Sequence, residues 1–414
     1  MLAEIISIGN ELLNGNTVNS NATYISKKLH ENGIITAYIQ VVGDVAVAIR
    51  QALDLTLTRS DVILLTGGLG PTPDDITRNV VADYFGCKLI FDEQIYENLK
   101  KRFARRGIPM PEVNRNQAMV PQGVELIPNR KGSALGMIFR KKEKFVFVMP
   151  GVPMEMKGMI DDTVIPRLRE ICPESRVQVD FIRTTGLAES VIYQRIASDL
   201  TQFNSYEIAF LPKFAGVDLR VVRKGEDIPN RKKFEKFLKL LDDQIGDAIY
   251  AREDIELEEV LGNLLRKRNL TISVAESLTG GLVQHKLTQI PGSSDYFMGG
   301  IVSYSNEAKM ELLGVKASSL KKYGAVSEQV AQEMAEGVRR RFGTDIGIST
   351  TGIAGPTGAT ASKPVGLVYL ALSAKDKLIA QKRLFSQDRN SVKQRSAQAA
   401  LELARRHLLG LPIK

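Results

Sequence analysis

The chain has 414 residues and a formal net charge of +9, and 43% of its residues are hydrophobic. This length exceeds one ordinary hydrophobic core, so two or three globular domains are expected. No apolar run approaches the ~20 residues that span a bilayer, and no basic stretch precedes an apolar run at the amino terminus. The sequence therefore predicts a soluble cytoplasmic protein with no membrane partner.

The charge and the rare residue types limit the possible chemistry. A basic chain suits nucleic acid and phosphate-bearing small molecules equally, so charge alone does not decide between them. Cys87 and Cys172 lie in different predicted segments, which argues against a disulfide and fits a reducing compartment. Only three histidines occur, so catalysis is expected to depend on carboxylates, Lys, Tyr, Ser and backbone amides.

Three patterns of predicted elements follow one another along the chain. In residues 1–170, strands at 5–8, 61–66 and 144–149 alternate with helices at 21–31 and 75–85, which indicates a parallel α/β sheet. In residues 171–252, strands at 176–185, 207–212 and 217–223 and helices at 189–200 and 230–246 indicate a small α+β domain. The acidic stretch 252–259 is expected to connect it to the third domain.

Residues 253–414 form the third predicted domain, which is again α/β. Strands are predicted at 270–275, 299–304, 345–350, 366–373 and 377–385, and helices at 281–289, 327–341 and 391–409. No internal repeat relates the three domains.

The first domain carries a glycine-rich loop, TGGLGPTPDD, at residues 66–75. Its glycines, Gly67, Gly68 and Gly70, allow the backbone to approach a ligand closely, and the predicted helix that follows offers free amides to a phosphate. Asp74 and Asp75 are predicted in the first helical turn. One of them could simply cap the helix, whereas two adjacent acids also suit a hard divalent cation.

Other short motifs follow the predicted strands of the same domain. GNELLNG, at residues 9–15, places Glu11 at the carboxyl end of a strand, where open α/β sheets have their sites, although a solvated loop acid is the alternative. GSALG, at residues 132–136, and PGVPMEM, at residues 150–156, could line the same cleft.

Residues 4–159 are similar to the molybdopterin-binding-like, three-layer domain of the competence/damage-inducible protein family, CinA. The matching motifs, in order, are GNELLNG, VVGD at residues 41–44, TGGLGPTPDD, FARRGIPMPEVNRNQA at residues 103–118, and PGVPMEM. The resemblance implies an ADP-ribose pyrophosphatase that forms AMP and ribose 5-phosphate. It also implies a divalent cation of the Mg²⁺, Mn²⁺ or Co²⁺ class, with K⁺ as a helper ion. It implies that Asp74, Asp75 and Glu11 hold the metal, and that Asn114 and Arg115 lie near the substrate.

In the third domain, AESLTGG at residues 275–281 follows a predicted strand and precedes a helix. Ser277 would lie at this turn, near free amides of Thr279, Gly280 and Gly281. A serine there can be a plain helix cap. It can equally be a nucleophile beside an oxyanion site made of helix amides.

A base for Ser277 is sought in YSNEAK, at residues 304–309. Tyr304 is predicted to end a strand and Lys309 to open the next helix, and a parallel sheet can bring both to the edge that holds Ser277. A lysine becomes a base for serine when burial or a nearby positive charge lowers its pKa. The alternative for Lys309 is an exposed helix residue.

A second glycine-rich loop, TGIAGPTG at residues 351–358, follows another predicted strand. Its candidate phosphate ligands are Thr351, Gly352 and Gly355. Arg389 and Arg395, early in the last predicted helix, could add charge-assisted contacts. A glycine-rich loop is a weak signal by itself.

The whole third domain closely resembles the CinA carboxyl-terminal domain, through AESLTGG, PGSSDYFMGGIVSYSNEAK, GAVSEQVAQEMAEG, TGIAGPTG, KPVGLVY and QRSAQAAL. The resemblance implies deamidation of nicotinamide mononucleotide without a cofactor. Ser277 would be the nucleophile, and Tyr304 and Lys309 would handle protons. Leu278 stands where this family often has Cys.

The middle segment is similar to the KH-like linker domain of the same family. A KH module that binds RNA needs a GXXG loop, whereas the glycines between residues 176 and 250 are isolated. The segment is therefore interpreted as a spacer or dimerisation element, with a homodimer implied by the resemblance and no nucleic-acid partner expected. Two alternatives remain: a nucleic-acid-associated competence or DNA-damage factor, and a molybdopterin-binding protein.

Overall fold

The computed structural model describes residues 1–172, 177–386 and 388–413. The chain divides into two compact units, Met1–Gln178 and Val179–Lys414. Among the described residues, no helix combines the length and the apolar character needed to cross a bilayer.

The first unit contains eight strands in its described residues. They are β1 (Leu2–Ile8), β2 (Ile35–Val42), β3 (Val62–Thr66), β4 (Leu89–Phe91), β5 (Met119–Pro121), β6 (Glu125–Ile127), β7 (Gly136–Lys141) and β8 (Lys144–Met149). Its α-helices are α1 (Asn10–Leu13), α2 (Ser20–Glu31), α3 (Ala46–Arg59), α4 (Thr77–Tyr84), α5 (Glu93–Arg105), α6 (Pro153–Met159) and α7 (Ile165–Ile171). A π-helical turn, Ile160–Val164, joins α6 to α7.

Six of these strands form one sheet in the order β2-β1-β3-β8-β7-β6. β2, β1, β3 and β8 are parallel, whereas β7 pairs antiparallel with both β8 and β6. The strands from which a parallel sheet was predicted, β1, β3 and β8, are parallel as expected, whereas the antiparallel edge was not predicted. The reason is local: only two residues, Lys142 and Glu143, connect β7 to β8, and so short a connection can join only antiparallel strands.

The parallel strands are buried on both faces, which explains their continuous apolar runs. Consecutive residues of β1 enter different cores: Ile5 packs in the cluster with α2 and α6, and Ile6 packs in the cluster with α3 and α4. This arrangement places the turns after β1 and β3 at the same edge of the sheet.

The second unit begins with a four-stranded sheet in the order β10-β11-β9-β12. Its strands are β9 (Val177–Thr184), β10 (Glu207–Lys213), β11 (Gly216–Lys224) and β12 (Ile249–Ala251), and its α-helices are α8 (Glu189–Leu200) and α9 (Arg231–Ile245). The predicted α+β pattern is observed, although Arg176, the predicted first strand residue, lies outside the described residues. The apolar side of α9, with Phe237 and Leu241, packs in the core of this module.

The rest of the second unit is built on a five-stranded sheet in the order β14-β13-β15-β16-β17. These strands are β13 (Ile272–Glu276), β14 (Phe297–Val302), β15 (Ile346–Gly352), β16 (Leu367–Ala374) and β17 (Lys377–Leu384). The helices are α10 (Leu257–Arg268), α11 (Leu282–Thr288), α12 (Asn306–Leu313), α13 (Ala317–Tyr323), α14 (Glu328–Phe342) and α15 (Arg389–Leu409). β14, β13 and β15 are parallel, so the turns that follow them meet at one edge.

The acidic stretch 252–259 is not a simple connection. α10 begins inside it, and Leu257, Leu261 and Leu265 are fully buried at the spacing of one helix face. Just before this helix, Asp254 and Glu256 form ion pairs with Arg183 of β9. The helix was not predicted because its buried leucines are four positions apart and charged residues lie around them in the sequence.

Candidate active site

The turn after β13 is tied to the start of α11 by a buried carboxylate. Both oxygens of Glu276 are used: one accepts from the amides of Gly281 (2.9 Å) and Val283 (3.1 Å), and the other from Gln284 (2.9 Å). The next residue is Ser277, whose backbone amide donates to the carbonyl of Thr350 at 2.9 Å. The serine is therefore fixed at the junction of two parallel strands.

Lys309 supplies the amine that faces this serine. Its side chain is 1% exposed, and its Nζ lies 3.2 Å from Oγ of Ser277 and donates to the carbonyl of Ser303 at 2.7 Å. Burial lowers the pKa of Lys309 to about 8, and Glu307 only partly opposes this change. A lysine in this state is partly neutral near physiological pH and can accept a proton.

Strand pairing brings the two residues together. Glu276 is opposite Val302 in the parallel β13–β14 pair, and the amide of Ser303 continues the ladder by donating to the carbonyl of Glu276. Lys309 lies in α12, which begins just after β14, and it reaches back over the end of both strands. The structure thus places the predicted amine beside the predicted hydroxyl.

The expected oxyanion donors need correction. The amide of Gly280 donates to the carbonyl of Ser277, and the amide of Gly281 donates to Glu276. In the described part of the chain, the amides in this turn without a protein acceptor are those of Leu278 and Thr279. Glu276 was not predicted as a site residue. Its position directly before the turn serine could have indicated this role.

Among the contacts that the structure describes, the hydroxyl of Tyr304 makes no hydrogen bond with Ser277 or Lys309. β14 ends at Val302, two residues before Tyr304, and the tyrosine side chain is 62% exposed. Its hydroxyl accepts a hydrogen bond from Arg389 at 3.0 Å. Its backbone carbonyl accepts from the amine of Lys309 at 3.4 Å.

Arg389 connects this tyrosine to the second glycine-rich loop. It is the first residue of α15, and it also donates to the carbonyl of Gly355 at 2.8 Å. Within the described ranges, the amides of Gly355, Thr357 and Gly358 donate to no protein acceptor. A guanidinium and free amides therefore lie at the same rim, as phosphate recognition requires.

One turn further along α15, Lys393 lies near the serine turn. A Cβ added at Gly280 would be 3.8 Å from its Nζ. Lys393 is not among the residues predicted from the sequence. The signal was its spacing, because residues four apart on a helix share a face with each other.

Three predicted phosphate ligands have other environments. Thr351 is buried, and its hydroxyl donates to the carbonyl of Ala325. Gly352 packs so closely that a Cβ would lie 2.6 Å from the carbonyl oxygen of Leu367. Arg395 lines a separate cavity, because six positions after Arg389 a helix presents a different face.

In the first unit, the loop after β3 needs its glycines. Gly67 and Gly68 have φ values of 118° and 63°, and a Cβ at Gly67 would lie 2.0 Å from the carbonyl oxygen of Ile8. Two buried side chains that the sequence analysis missed, Arg78 and Gln117, both donate to the carbonyl of Leu69. The loop is thus packed against the end of β1 on one side and is hydrogen-bonded to Arg78 and Gln117 on the other.

The acidic pair lies in this loop and not in a helix. α4 begins at Thr77, so the predicted first helical turn at Asp74 and Asp75 is wrong. The carboxylate of Asp75 accepts from the amide of Thr72 at 2.9 Å and packs against Gly70. Asp74 is exposed. Asp75 keeps this segment in a turn, because its carboxylate accepts from the amide three residues earlier in the chain.

The structure tests whether these carboxylates could hold a metal. In residues 1–172, 177–386 and 388–413, no group of three or more His, Cys, Asp or Glu side chains could bind an ion. Exposed Glu11 is thus not gathered with Asp74 and Asp75 into one such group. Two adjacent carboxylates still fit Mg²⁺, which is usually held by one or two carboxylates together with substrate phosphates and water.

The remaining predicted residues lie on the short 3₁₀ helix Glu112–Ala118. Asn114 is buried. The guanidinium of Arg115 lies 5.0 Å from the centre of the Phe91 ring and 5.6 Å from that of Tyr96. The side chain of Arg115 is 56% exposed, and its Nη1 lies 4.0 Å from a carboxylate oxygen of exposed Glu112.

Comparison with known proteins assigns each region to a described domain. Residues 4–170 match the model described as probable molybdopterin binding domain, residues 180–251 match the damage-inducible protein CinA KH domain, and residues 254–408 match the CinA C-terminal domain. The first unit thus has a molybdopterin-binding-like α/β fold, followed by a KH-like module and a CinA α/β domain.

Relatives match over nearly the whole chain. A "CinA-like protein" of Chloroherpeton thalassium is 46% identical, over 98% of this chain and 99% of its own. A "putative competence-damage inducible protein" of Caldicellulosiruptor saccharolyticus is 41% identical, over 99% of this chain and 100% of its own. A crystal structure of a competence/damage inducible protein from Agrobacterium tumefaciens is 37% identical and covers 37% of this chain and 97% of its own, with a TM-score of 0.36.

Proposed function

This chain belongs to the competence/damage-inducible CinA family, and we propose that it is a hydrolase of pyridine nucleotides with two activities. The third domain would deamidate nicotinamide mononucleotide to nicotinate mononucleotide and ammonia. The first would hydrolyse ADP-ribose to AMP and ribose 5-phosphate. The observation that carries the proposal is the 3.2 Å separation between the buried amine of Lys309 and the hydroxyl of Ser277.

The chemistry of the third domain follows from this pair. Neutral Lys309 takes the proton of Ser277 as Oγ attacks the carboxamide carbon, and the amides of Leu278 and Thr279 stabilise the oxyanion. The ammonium of Lys309 returns the proton to the amide nitrogen, the C–N bond breaks, and ammonia leaves. Water then attacks the resulting ester, again with Lys309 as base, and releases nicotinate mononucleotide and free Ser277. No cofactor is needed.

The phosphate of the mononucleotide would bind at the rim formed by the second glycine-rich loop. The free amides of Gly355, Thr357 and Gly358 and the cations of Arg389 and Lys393 favour a dianion. Binding there places the nicotinamide ring toward Ser277. Tyr304 would orient Arg389 through the 3.0 Å hydrogen bond and would not transfer protons itself.

In the first domain, the diphosphate of ADP-ribose would lie against the loop of Gly67, Gly68 and Gly70. Asp74 and Asp75 would hold a divalent cation of the Mg²⁺, Mn²⁺ or Co²⁺ class, with K⁺ as a helper ion. Such a cation supplies Lewis-acid stabilisation of charge on the phosphates when bound. Arg115, held over its aromatic pair, would neutralise the outer phosphate oxygens.

Two other functions are tested by simple binding measurements. The match of residues 4–170 to a molybdopterin-binding model favours pterin binding, and a pterin titration would detect it. A nucleic-acid role predicts DNA binding that weakens steeply with salt. The homodimer that the family resemblance implies would be tested by light scattering.

The proposal is tested by incubating the protein separately with the two substrates and identifying the products by mass. We expect Ser277→Ala to abolish ammonia release and to retain ADP-ribose hydrolysis, whereas the double variant Asp74→Asn, Asp75→Asn does the reverse. Ser318→Ala, in exposed helix α13, serves as the matched control. Ammonia release by Ser277→Ala at the normal rate would contradict the amidase.

A further inference from the structure

A large cavity in the second unit lies away from Ser277. Its volume is about 990 Å³, which suits a ligand of nucleotide size. One wall comes from the KH-like module, through the tip of the β10–β11 hairpin. The other comes from the CinA domain, through β17 and the face of α15 that carries Arg395. No residue of the proposed deamidase site lines it.

The CinA wall of this cavity is cationic. Arg383, Arg395 and Arg406 all line it. Arg406 is neutralised by Glu402 at 2.8 Å, whereas Arg395 forms no ion pair with any residue that the structure describes. Its Nε is buried and has no hydrogen-bond partner there. Burying a guanidinium nitrogen without an acceptor is costly, so this position favours an anion.

A second observation points the same way. Burial lowers the pKa of Arg383, and the positive charge of Arg406 lowers it further. The CinA wall thus holds neighbouring guanidinium groups, which favour an anion on that side. The KH-like wall carries four acids and two cations, so phosphate or diphosphate would lie against the CinA wall; the acids are Glu189, Asp242, Asp243 and Asp247, and the cations are Arg195 and Lys213.

The opposite wall offers an aromatic surface. Phe214 lies in the two-residue turn between β10 and β11, and its side chain is 53% exposed although it lines the cavity. Phe385, directly after β17, lines the cavity from the CinA side. A large exposed ring at a cavity edge is typical of a surface on which a base stacks.

We propose that this cavity is a nucleotide-binding site, in which a phosphate or diphosphate lies against Arg395 and Arg383 and an aromatic base lies against Phe214. The site is separate from the proposed deamidase and ADP-ribose sites. It would join the KH-like module to the CinA domain when occupied. Because α15 carries Arg395 on one face and Arg389 and Lys393 on another, the ligand would stiffen the helix that also borders the Ser277 site.

Hydrogen exchange of the full-length protein, measured with and without ADP, shows which segments of the chain the nucleotide protects and therefore tests this site directly. We expect ADP to protect amides of residues 213–217 and 381–385. In Phe214→Ser and in Arg395→Gln this protection should require about tenfold more ADP. Arg340→Gln, which removes an exposed arginine of α14, is the matched control and should behave as wild type. Phe214 is exposed, so its variant should fold normally even if Arg395→Gln does not.

Further ligands separate the two parts of the proposal. Pyrophosphate should protect residues 381–385 alone, and adenosine should protect neither segment at the same concentration. Absence of protection by both ADP and pyrophosphate would overturn the proposal. Equal protection in wild type and both variants would also overturn it. So would protection of the same segments by a short single-stranded RNA but not by ADP, because that result indicates a nucleic-acid groove.

Discussion

Ser277 and Lys309 are 32 positions apart in the chain, and their side-chain heteroatoms lie 3.2 Å apart. The contact exists because β13 and β14 are parallel neighbours, so that both chains leave the sheet at the same edge. Each residue lies just beyond a strand end, and the intervening helix α11 is held to the turn by Glu276. The pair is therefore built by backbone topology and then fixed by burial.

The pH dependence of deamidation should report the titration of Lys309. Its pKa is lowered to about 8, so the amine is mostly protonated below this pH and cannot accept the serine proton. We expect kcat/KM to rise about tenfold per pH unit below pH 8 and to level off above it. Steady-state ammonia release between pH 6 and 10 would measure this.

Two lysine substitutions refine that measurement. Lys309→Arg retains the charge but stays protonated throughout, so we expect kcat to fall by about a thousandfold at every pH. Lys321→Met, at an exposed position of α13, should retain the wild-type profile. An active Lys309→Arg protein with an unchanged profile would refute the role of Lys309 as base.

Tyr304 should affect substrate binding more than turnover. Its hydroxyl contacts Arg389 and not the reacting pair. We expect Tyr304→Phe to raise KM for nicotinamide mononucleotide about threefold to tenfold with kcat almost unchanged, because uniform binding is lost. Tyr323→Phe, another exposed tyrosine, is the control. A hundredfold fall in kcat at constant KM would instead assign a proton to the Tyr304 phenol.

Glu276 should contribute strongly to stability. Its carboxylate accepts three backbone amides while fully buried. Glu276→Gln replaces one acceptor oxygen with a donor, which then faces an amide, so we expect the free energy of unfolding to fall by about 1–3 kcal/mol. Urea denaturation would measure this, with Glu311→Gln on the exposed side of α12 as control. Equal stability of the two variants would rule out this anchoring role.

A buried ion pair should hold the second unit together. Arg183 of β9 pairs with buried Asp218 of β11, and Lys213 approaches the same carboxylate at 2.9 Å. Asp218→Asn removes the buried carboxylate from Arg183 and leaves it the more exposed Asp254 and Glu256. We therefore expect a loss of about 1–3 kcal/mol in thermal or urea unfolding. Asp376→Asn, in the exposed β16–β17 turn, should change stability little. A similar small effect at both positions would show that Arg183 is satisfied by other groups.

Local patterns predicted many elements well. The strand Lys144–Met149 and the helix Glu189–Leu200 have the bounds that their apolar spacing indicates. The spacing failed where neighbours in the sheet decide the outcome. β7 was not predicted because distant segments bury both of its faces: Ile138 packs in the cluster of Ile5, and Phe139 packs in the cluster of Ile6. α10 was not predicted because its leucines pack against strands and helices much later in the chain.

The sequence by itself identified Ser277 in a turn and Lys309 as a possible base for it. The strand–turn–helix pattern is local, and the scarcity of histidine is a matter of composition, so neither requires knowledge of the fold. Only the tertiary structure decided which groups share an environment. In the folded chain, the hydroxyl of Tyr304 accepts from Arg389, and the first amides of α11 donate to Glu276. Arg395 lines the cavity between the KH-like module and the CinA domain. These outcomes depend on strand order and helix rotation, and therefore on contacts between segments that no local spacing encodes.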